Sequence, residues 1–395
     1  MVTHRFPPRQ ISTTRLPRAC PRSDLDAFTL RLALTTGASR RGIFVQNQYH
    51  RVGNATVISL AALAAAGLLA GCAQGDPVST QTSATVSTSA SVAAPTPSPS
   101  NTAAGASPFS GRAGGAGKPV LVVKFDNTPN AQPHVGLQAA DIVFVEEVEF
   151  GLTRLAAVFS TEIPKVVGPI RSARISDIDL LGQFGRPAFS YSGAQAKLRP
   201  VLASASLFDV SGDQGPQGYF RDKARRAPYN FMGYATNLLA RAPDASPARD
   251  IGYLFSVQAP LGGKKITTAT VKYPSSLVQF LWNAAGTNYD VWLNGKRARA
   301  AEGGTQHAAT VVIEYVDQHA SGYGDKFGGL TPKEETIGKG TGWILRDGQA
   351  WPVTWNRPTL TVGTTYTGAD GKIVNFAPGQ IWVVLINKTT PAKLV

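Results

Sequence analysis

From residue 73 to residue 117 the chain is composed almost wholly of Ser, Thr, Ala, Pro and Gly. A segment of that kind cannot bury enough apolar surface to offset the entropy lost on ordering it. The fold must therefore be built by the roughly 280 residues that follow, enough for a sizeable hydrophobic core. The segment itself reads as a flexible tether over 73–117.

Upstream lies a short apolar run over 57–71 that ends in Leu69-Ala70-Gly71-Cys72 and is preceded by Arg51. A basic residue, a short apolar stretch and small residues before a cysteine form the pattern of a bacterial lipoprotein signal peptide, here over 51–72. A membrane-spanning helix needs about 20 apolar residues, and this run is shorter and rich in Ala and Gly. The expectation is cleavage before Cys72, lipidation of its thiol, and a mature chain held on the outer face of the cell membrane. Each buried acyl CH₂ then adds ~0.8 kcal/mol of anchoring. Residues 1–50 stand upstream of a signal that normally opens a chain, and are set aside from the fold as a doubtful leader. Ser39-Arg40-Arg41-Gly42-Ile43-Phe44 is a weak match to a twin-arginine export signal, and a later start near Val45 or Val52 fits the signal better.

Charge and cysteine usage narrow the function classes. The formal net charge is +14, but residues 1–72 hold nine Arg and two Asp, which leaves +7 for the remainder. That mild excess suits a neighbour of anionic lipids or wall polymers. No Lys/Arg stripe or recognition motif points to nucleic acid. The two cysteines are Cys20 and Cys72, so the folded part has neither a disulfide nor a thiol nucleophile. Its histidines, His134, His307 and His319, stand at no metal-ligand spacing. Walker loops, dinucleotide fingerprints and Gly-x-Ser-x-Gly elbows do not occur. No metal or cofactor is expected, and His134, behind Pro133, reads as a surface loop residue.

Local patterns give an α+β protein: a mixed α/β N-terminal domain over 118–245 and a mainly antiparallel β C-terminal domain over 246–395. Strands are expected over 120–125, 141–148, 153–160 and 165–167, the second and third as a hairpin. The 141–148 run is apolar on both faces until Glu146 and Glu147, as an interior strand is. Helices are expected over 172–183, with Ser172 as N-cap, and over 234–242. A polar break at 243–249 marks the domain boundary. Beyond it, Asn294-Gly295, Asp347-Gly348 and Asp370-Gly371 fit two-residue hairpin turns. Strands are expected there over 310–316, 343–346, 350–355 and 380–386.

One series of motifs brings a resemblance. Val123-Lys124-Phe125-Asp126-Asn127, Ala140-Asp141-Ile142-Val143-Phe144 and Thr153-Arg154-Leu155-Ala156-Ala157-Val158-Phe159 occur in that order. Val167-Gly168-Pro169-Ile170-Arg171-Ser172-Ala173-Arg174, Phe220-Arg221-Asp222 and Ala227-Pro228-Tyr229-Asn230 follow, and Gly379-Gln380-Ile381-Trp382-Val383 comes last. Over 118–390 the chain resembles the YerB-like family of bacterial lipoproteins, built from two successive domains of unknown function. The resemblance implies an α+β fold and an envelope location, and supplies no reaction or catalytic residue. The chain departs from the family at Phe150, inside the Glu149-Phe150-Gly151 turn.

Two clusters carry the candidate chemistry. Between Gly168 and Arg174 a strand ends, Gly-Pro turns the chain and a helix begins. Free N–H groups and guanidinium forks at such a start bind carboxylate or phosphate. Arg154, Arg171, Ser172 and Arg174 are therefore candidate ligand-binding residues. The same arginines can instead pair with Asp126, Asp141, Glu146, Glu147 or Glu149 and lock helix to sheet. The second cluster, Tyr219, Arg221 and Asn230, lies in a long aromatic loop that suits either a sugar or peptide groove or a plug at the core edge.

The first reading of function is a membrane-anchored, non-catalytic protein that binds an anionic wall glycan or peptide fragment. One alternative is a hydrolase of envelope glycans using Asp126 with Glu146 or Glu149. The other is a scaffold whose β-rich half docks an envelope protein.

Overall fold

The computed structural model describes residues 105–325 and 327–395; the leader, the signal run with Cys72 and the tether up to residue 104 lie outside the described residues. β-Branched and apolar runs form β1 (Leu121–Asp126), β2 (Ile142–Glu147) and β3 (Thr153–Phe159). Chain order continues with β4 (Val166–Val167), α1 (Ser176–Leu181), β5 (Ala188–Ser190), α2 (Arg199–Ser204), β6 (Phe208–Asp209), β7 (Tyr219–Arg221), β8 (Phe231–Tyr234) and α3 (Ala235–Ala240).

The second half is almost all strand. It opens with β9 (Lys264–Lys265), β10 (Thr268–Lys272), β11 (Leu277–Asn283), β12 (Asn288–Leu293), β13 (Lys296–Arg297) and β14 (His307–Ala308). The long β15 (Thr310–Gly324) and β16 (Leu330–Glu335) form a projecting hairpin. β17 (Gly338–Arg346), β18 (Gln349–Arg357), β19 (Thr365–Thr367), β20 (Ile381–Asn387) and β21 (Lys393–Leu394) complete the chain.

Twelve strands make one sheet in the order β19-β18-β17-β15-β20-β2-β3-β1-β5-β6, with β16 on β15 and β9 on β18. β2 runs parallel to β20, from Ile142 opposite Ile381 to Val145 opposite Val384. The two halves are thus one hydrogen-bonded layer. The boundary expected at 245/246 divides the sequence and not the packing, because the described residues belong to one compact unit. A six-stranded sheet, β13-β12-β11-β10-β21 with β14, shares a core with one face of the large sheet through Leu121, Val123, Phe125, Phe280, Val291 and Trp382. The other face packs Val120, Val122, Phe144 and Val383 against Leu180, Phe184 and Leu202 of the helical layer. The architecture is α+β, dominated by strands.

Local readings hold where local physics decides. Asn294-Gly295 and Asp347-Gly348 are two-residue turns, with φ of 53° and 74°, and 49° and 67°. Asp370-Gly371 belongs instead to a wider loop closed by Thr367 and Ile373, and only Gly371 has positive φ. The first helix begins at Ser176, not at 172, because 169–171 continue as a partner of β1. Asp126 N–H donates to the Pro169 carbonyl (2.9 Å) and Arg171 N–H to that of Lys124 (2.8 Å).

Residues 105–117 correct the expected tether. Phe109 is wholly buried and meets Phe184 edge-on at 5.2 Å. Ser110 Oγ (2.5 Å) and Arg112 Nη2 (2.8 Å) donate to the Asp141 carboxylate, which also accepts the Ser160 and Thr161 N–H groups (2.9 Å each). Small-residue composition hides these three anchors. Phe109→Ala is expected to cost about 3–5 kcal/mol in chemical denaturation; a loss below about 1 kcal/mol, the ordinary surface range, would place the segment outside the fold.

Glu314 of β15 yields a second test. It shares a face with Val312 and Val316, is buried, and accepts the Tyr366 hydroxyl. Burial pushes its carboxyl up to about 7 against the opposing pull of Tyr366 and Arg357. The folded chain therefore holds this proton more tightly than the unfolded chain. Its contribution to stability is complete below the unfolded value of 4.5 and is lost as pH rises through about 7. Wild type should lose stability relative to Glu314→Gln between pH 5 and pH 8, by up to about 3 kcal/mol. Parallel stability curves for the two proteins would refute this.

Candidate functional site

On the α1 side of β1–β3 the apolar alternation ends in charge. Val120 and Val122 give way to Lys124 and Asp126, Ile142 and Phe144 to Glu146, and Val158 and Ala156 to Arg154. Register sets Asp126 of β1 and Glu146 of β2 on either side of Arg154 of β3. Directly opposed residues share a face of a sheet.

Beneath the surface lies a buried charge cluster. Lys124 Nζ is 2.6 Å from Glu146 Oε1 and 2.6 Å from Asp177 Oδ1. Burial alone would lower the Lys124 pKa, but Asp177 and Glu146 outweigh it and hold it above the ordinary value. The other oxygen of Asp177 accepts the Arg174 N–H at 2.6 Å. Glu334 of β16 closes the cluster, accepting the Glu147 N–H (2.9 Å) while its own N–H donates to Ser176 Oγ (3.1 Å). Burial and the charge of Glu146 push the Glu334 carboxyl well up. Burial and Asp177 likewise raise Glu146, although Lys124 opposes them.

Above this cluster lie the arginines. Arg171 Nε stands 2.7 Å from Asp126 Oδ2, a close ion contact whose N–H is poorly aligned for a hydrogen bond. Arg174 Nη2 donates to Glu149 Oε2 at 2.5 Å. Arg154 Nη1 is 4.0 Å from the same oxygen and makes a long 3.4 Å bond to the Ser172 carbonyl. Thr331 Oγ1 donates to the second Glu149 oxygen. Burial would raise Glu149, yet Arg174, Thr331 and Arg154 together hold it below the usual carboxylate range. Arg154 is pushed down to about 9 by burial and by the neighbouring Arg174. Three guanidinium groups thus share two carboxylates. They line a cavity of about 550 Å³ with Gln195, Arg199, Tyr323 and Asp325, whose carboxylate adds a negative charge to the lining.

All four residues expected at the helix start, Arg154, Arg171, Ser172 and Arg174, line this cavity. Pairing with carboxylates and facing a cavity, posed as alternatives, are both found. Ser172 caps nothing; its Oγ is 3.4 Å from Ser192 Oγ, the N-cap position is Ile175, and Asp177 in the first turn accepts the Arg174 N–H just outside the helix. Asp126 and Glu149 are partners of the arginines, and Glu146 lies below with Lys124.

The second cluster divides. Tyr219 Oη donates to the Val210 carbonyl (2.7 Å) and its ring stacks on Phe231 at 4.8 Å, so it is a plug at the core edge. Arg221 donates to Asn230 Oδ1 (2.8 Å) and shares a shallow pocket with Arg171, Ser192 and Phe231. His134 corrects its surface reading, being fully buried with Nε2 2.7 Å from the Asp126 carbonyl oxygen. Sequence reasoning missed Asp177, Glu334 and Arg199 altogether. The signal for Lys124 was present, as a lone charge inside the apolar run 120–125.

Comparison with known proteins shows the family and the fold. Residues 109–248 match the N-terminal domain, and 269–383 the C-terminal domain, of the protein of unknown function DUF3048. The chain is 25% identical over 296 residues to a Bacillus subtilis (strain 168) protein named "Putative lipoprotein YerB", covering 70% of this chain and 83% of that protein. The crystal structure of the YerB protein from Bacillus subtilis has the same fold, with a TM-score of 0.62 at 20% identity, over 73% of this chain and 99% of that one.

The buried cluster is testable alone. Lys124→Met leaves Glu146 and Asp177 without their ammonium and should cost about 3–5 kcal/mol in urea unfolding. Adding Glu146→Gln removes one of the stranded charges, so the double variant should be more stable than the sum of the single effects. Simple additivity would mean the three side chains do not act as a unit.

Proposed function

Because the chain belongs to the YerB-like family, whose Bacillus subtilis member carries a lipoprotein name, we propose that it is a lipid-anchored protein of the cell envelope that binds an anionic ligand in the arginine cavity. Cys72 is its anchor and the outer face of the membrane its place. The ligand class is a wall glycan or peptide fragment bearing carboxylate or phosphate. One observation carries the reading: Arg154, Arg171 and Arg174 share Asp126 and Glu149 around an open cavity. Arg171 Nε and Arg174 Nε are buried there without a hydrogen-bond partner. An incoming anion supplies acceptors for such donors, and hydrogen bonds to charged groups are worth about 1.5–3 kcal/mol each.

Binding is favoured over hydrolysis. Asp126 is held by Arg171, and Glu146 is buried against Lys124 below the cavity. Neither is poised to reach a substrate there.

The test is a thermal-shift panel on the full chain with muramyl dipeptide, glucose 1-phosphate, pyrophosphate and uncharged glucose. A ligand at a hundred times its Kd adds about 2.7 kcal/mol to stability, a rise of several degrees in Tm. Anions should shift wild type and glucose should not. Arg154→Gln should abolish the shift while melting near wild type without ligand. No shift with any anion, or an undiminished shift in Arg154→Gln, would reject the reading.

A further inference from the structure

The arginine cavity continues past Arg171. That side chain also lines the shallow hollow beside it, of about 340 Å³, together with Arg221 and Phe231. Pro228 lines this middle hollow and a third, of about 840 Å³, whose wall carries Arg225 and Arg226. Three adjoining hollows thus follow one another along the surface, each with arginine in its wall.

The fold holds these walls in place and leaves donors open. Arg225 donates to the carbonyls of Ala131 (3.2 Å) and Pro133 (2.6 Å), which pins the 219–230 loop to the loop before His134. Arg221 Nη1 donates to Asn230 (2.8 Å), while its Nε and Nη2 have no protein acceptor among the described residues. Arg171 meets Asp126 through Nε alone, and neither of its Nη groups has an acceptor there. Arg226 is exposed, and its guanidinium has no hydrogen bond or ion pair among the described residues. Carboxylates line the two outer hollows, but both are engaged. Asp222 stands 3.4 Å from Arg225 and accepts the Ala224 N–H (2.9 Å). Asp325 Oδ1 accepts the Phe327 and Gly329 N–H groups of its own loop (2.9 Å each). The middle hollow has no carboxylate in its lining.

Open guanidinium donors set at intervals along a continuous groove match a ligand whose anionic groups also recur at intervals. A small anion fills one hollow and leaves the donors of the other two to water. We propose that the ligand is a linear polymer of the cell wall with a phosphate or carboxylate on successive repeats, laid across all three hollows and passing Arg171 between the first and the second. This rests on the arginine-cavity reading and extends it from a fragment to a chain. Once one repeat is held by Arg154 and Arg174, the next meets Arg221 as an intramolecular contact, which raises affinity without a stronger site. A nucleic acid would use aromatic faces for its bases. The Phe231 ring of the middle hollow is already stacked on Tyr219 and lies 5.2 Å from the Arg221 guanidinium.

The experiment titrates the full chain by calorimetry with pyrophosphate, long-chain linear polyphosphate, poly-L-glutamate and oligothymidylate at one salt concentration. Polyphosphate or polyglutamate should bind roughly a hundredfold more tightly than pyrophosphate, and the tighter of the two names the anionic group. Arg221→Gln with Arg226→Gln, both exposed positions outside the first cavity, should remove about tenfold or more of that gain and leave pyrophosphate affinity and Tm unchanged. Lys264→Gln with Lys265→Gln, exposed on β9 and outside all three hollows, should change nothing. A chain-length gain that is missing, that survives in the arginine pair, or that falls equally in the lysine pair would overturn the polymer assignment and leave the arginine cavity standing. Oligothymidylate binding more tightly than both other polymers would make the partner a nucleic acid and overturn it too. If no phosphate or polymer binds while muramyl dipeptide does, the polymer assignment alone falls; if no anion binds, both fall.

Discussion

The ammonium of Lys124 sits where three elements meet. β1 carries it, β2 supplies Glu146, and the first turn of α1 supplies Asp177, each at 2.6 Å. A charge buried that completely persists only with close partners, since unpaired burial costs more than a domain's spare stability. Asp177 cannot leave Lys124, and its second oxygen fixes the backbone of Arg174. The backbone of Arg174 is therefore tied to Lys124 through their shared partner Asp177. The cluster holds more carboxylates than cations, and the raised Glu146 and Glu334 reflect that imbalance.

The parallel pairing of β2 with β20 gives this site its second wall. It brings β15, the neighbour of β20, close enough for the β15–β16 hairpin to lean over the end of β2. Thr331 then bonds Glu149 and Glu334 receives the Glu147 N–H, across 182 and 187 positions of sequence. The arginines come from the first half and the opposite rim from the second. Neither half alone would enclose the cavity.

What was legible in the sequence is what neighbours in the chain decide. β1, β2 and β3 announce themselves by β-branched apolar runs, and Asn294-Gly295 and Asp347-Gly348 by residues that accept positive φ. The arginine cluster was legible as chemistry because Arg171 and Arg174 follow a strand end. The start of α1 was not, because 169–171 take their hydrogen bonds from β1, more than forty residues away. Phe109 was lost among small residues, although one aromatic ring is enough to pin a segment to a core. The partner of each arginine depends on which residues oppose across β1, β3 and β2, and register is a property of the assembled sheet. The shared sheet has no local signature at all, since a parallel pair needs only two apolar strands and a long connection.

Under the proposed anion-site reading, the ion pairs of the arginines serve binding rather than compete with it. A free arginine on a surface loses rotamer freedom when it grips a ligand, at roughly 0.5–1.5 kcal/mol for each side chain ordered. Here Asp126 orders Arg171, and Glu149 orders Arg174, before any ligand arrives. Each guanidinium has five N–H donors, and these contacts engage only part of them. Arg154 contributes the complementary property: burial and Arg174 lower its pKa to about 9, against the pull of Glu149. Under the proposed reading, a negative group entering the cavity stabilises its charged form directly, and the paired arginines supply the rigidity.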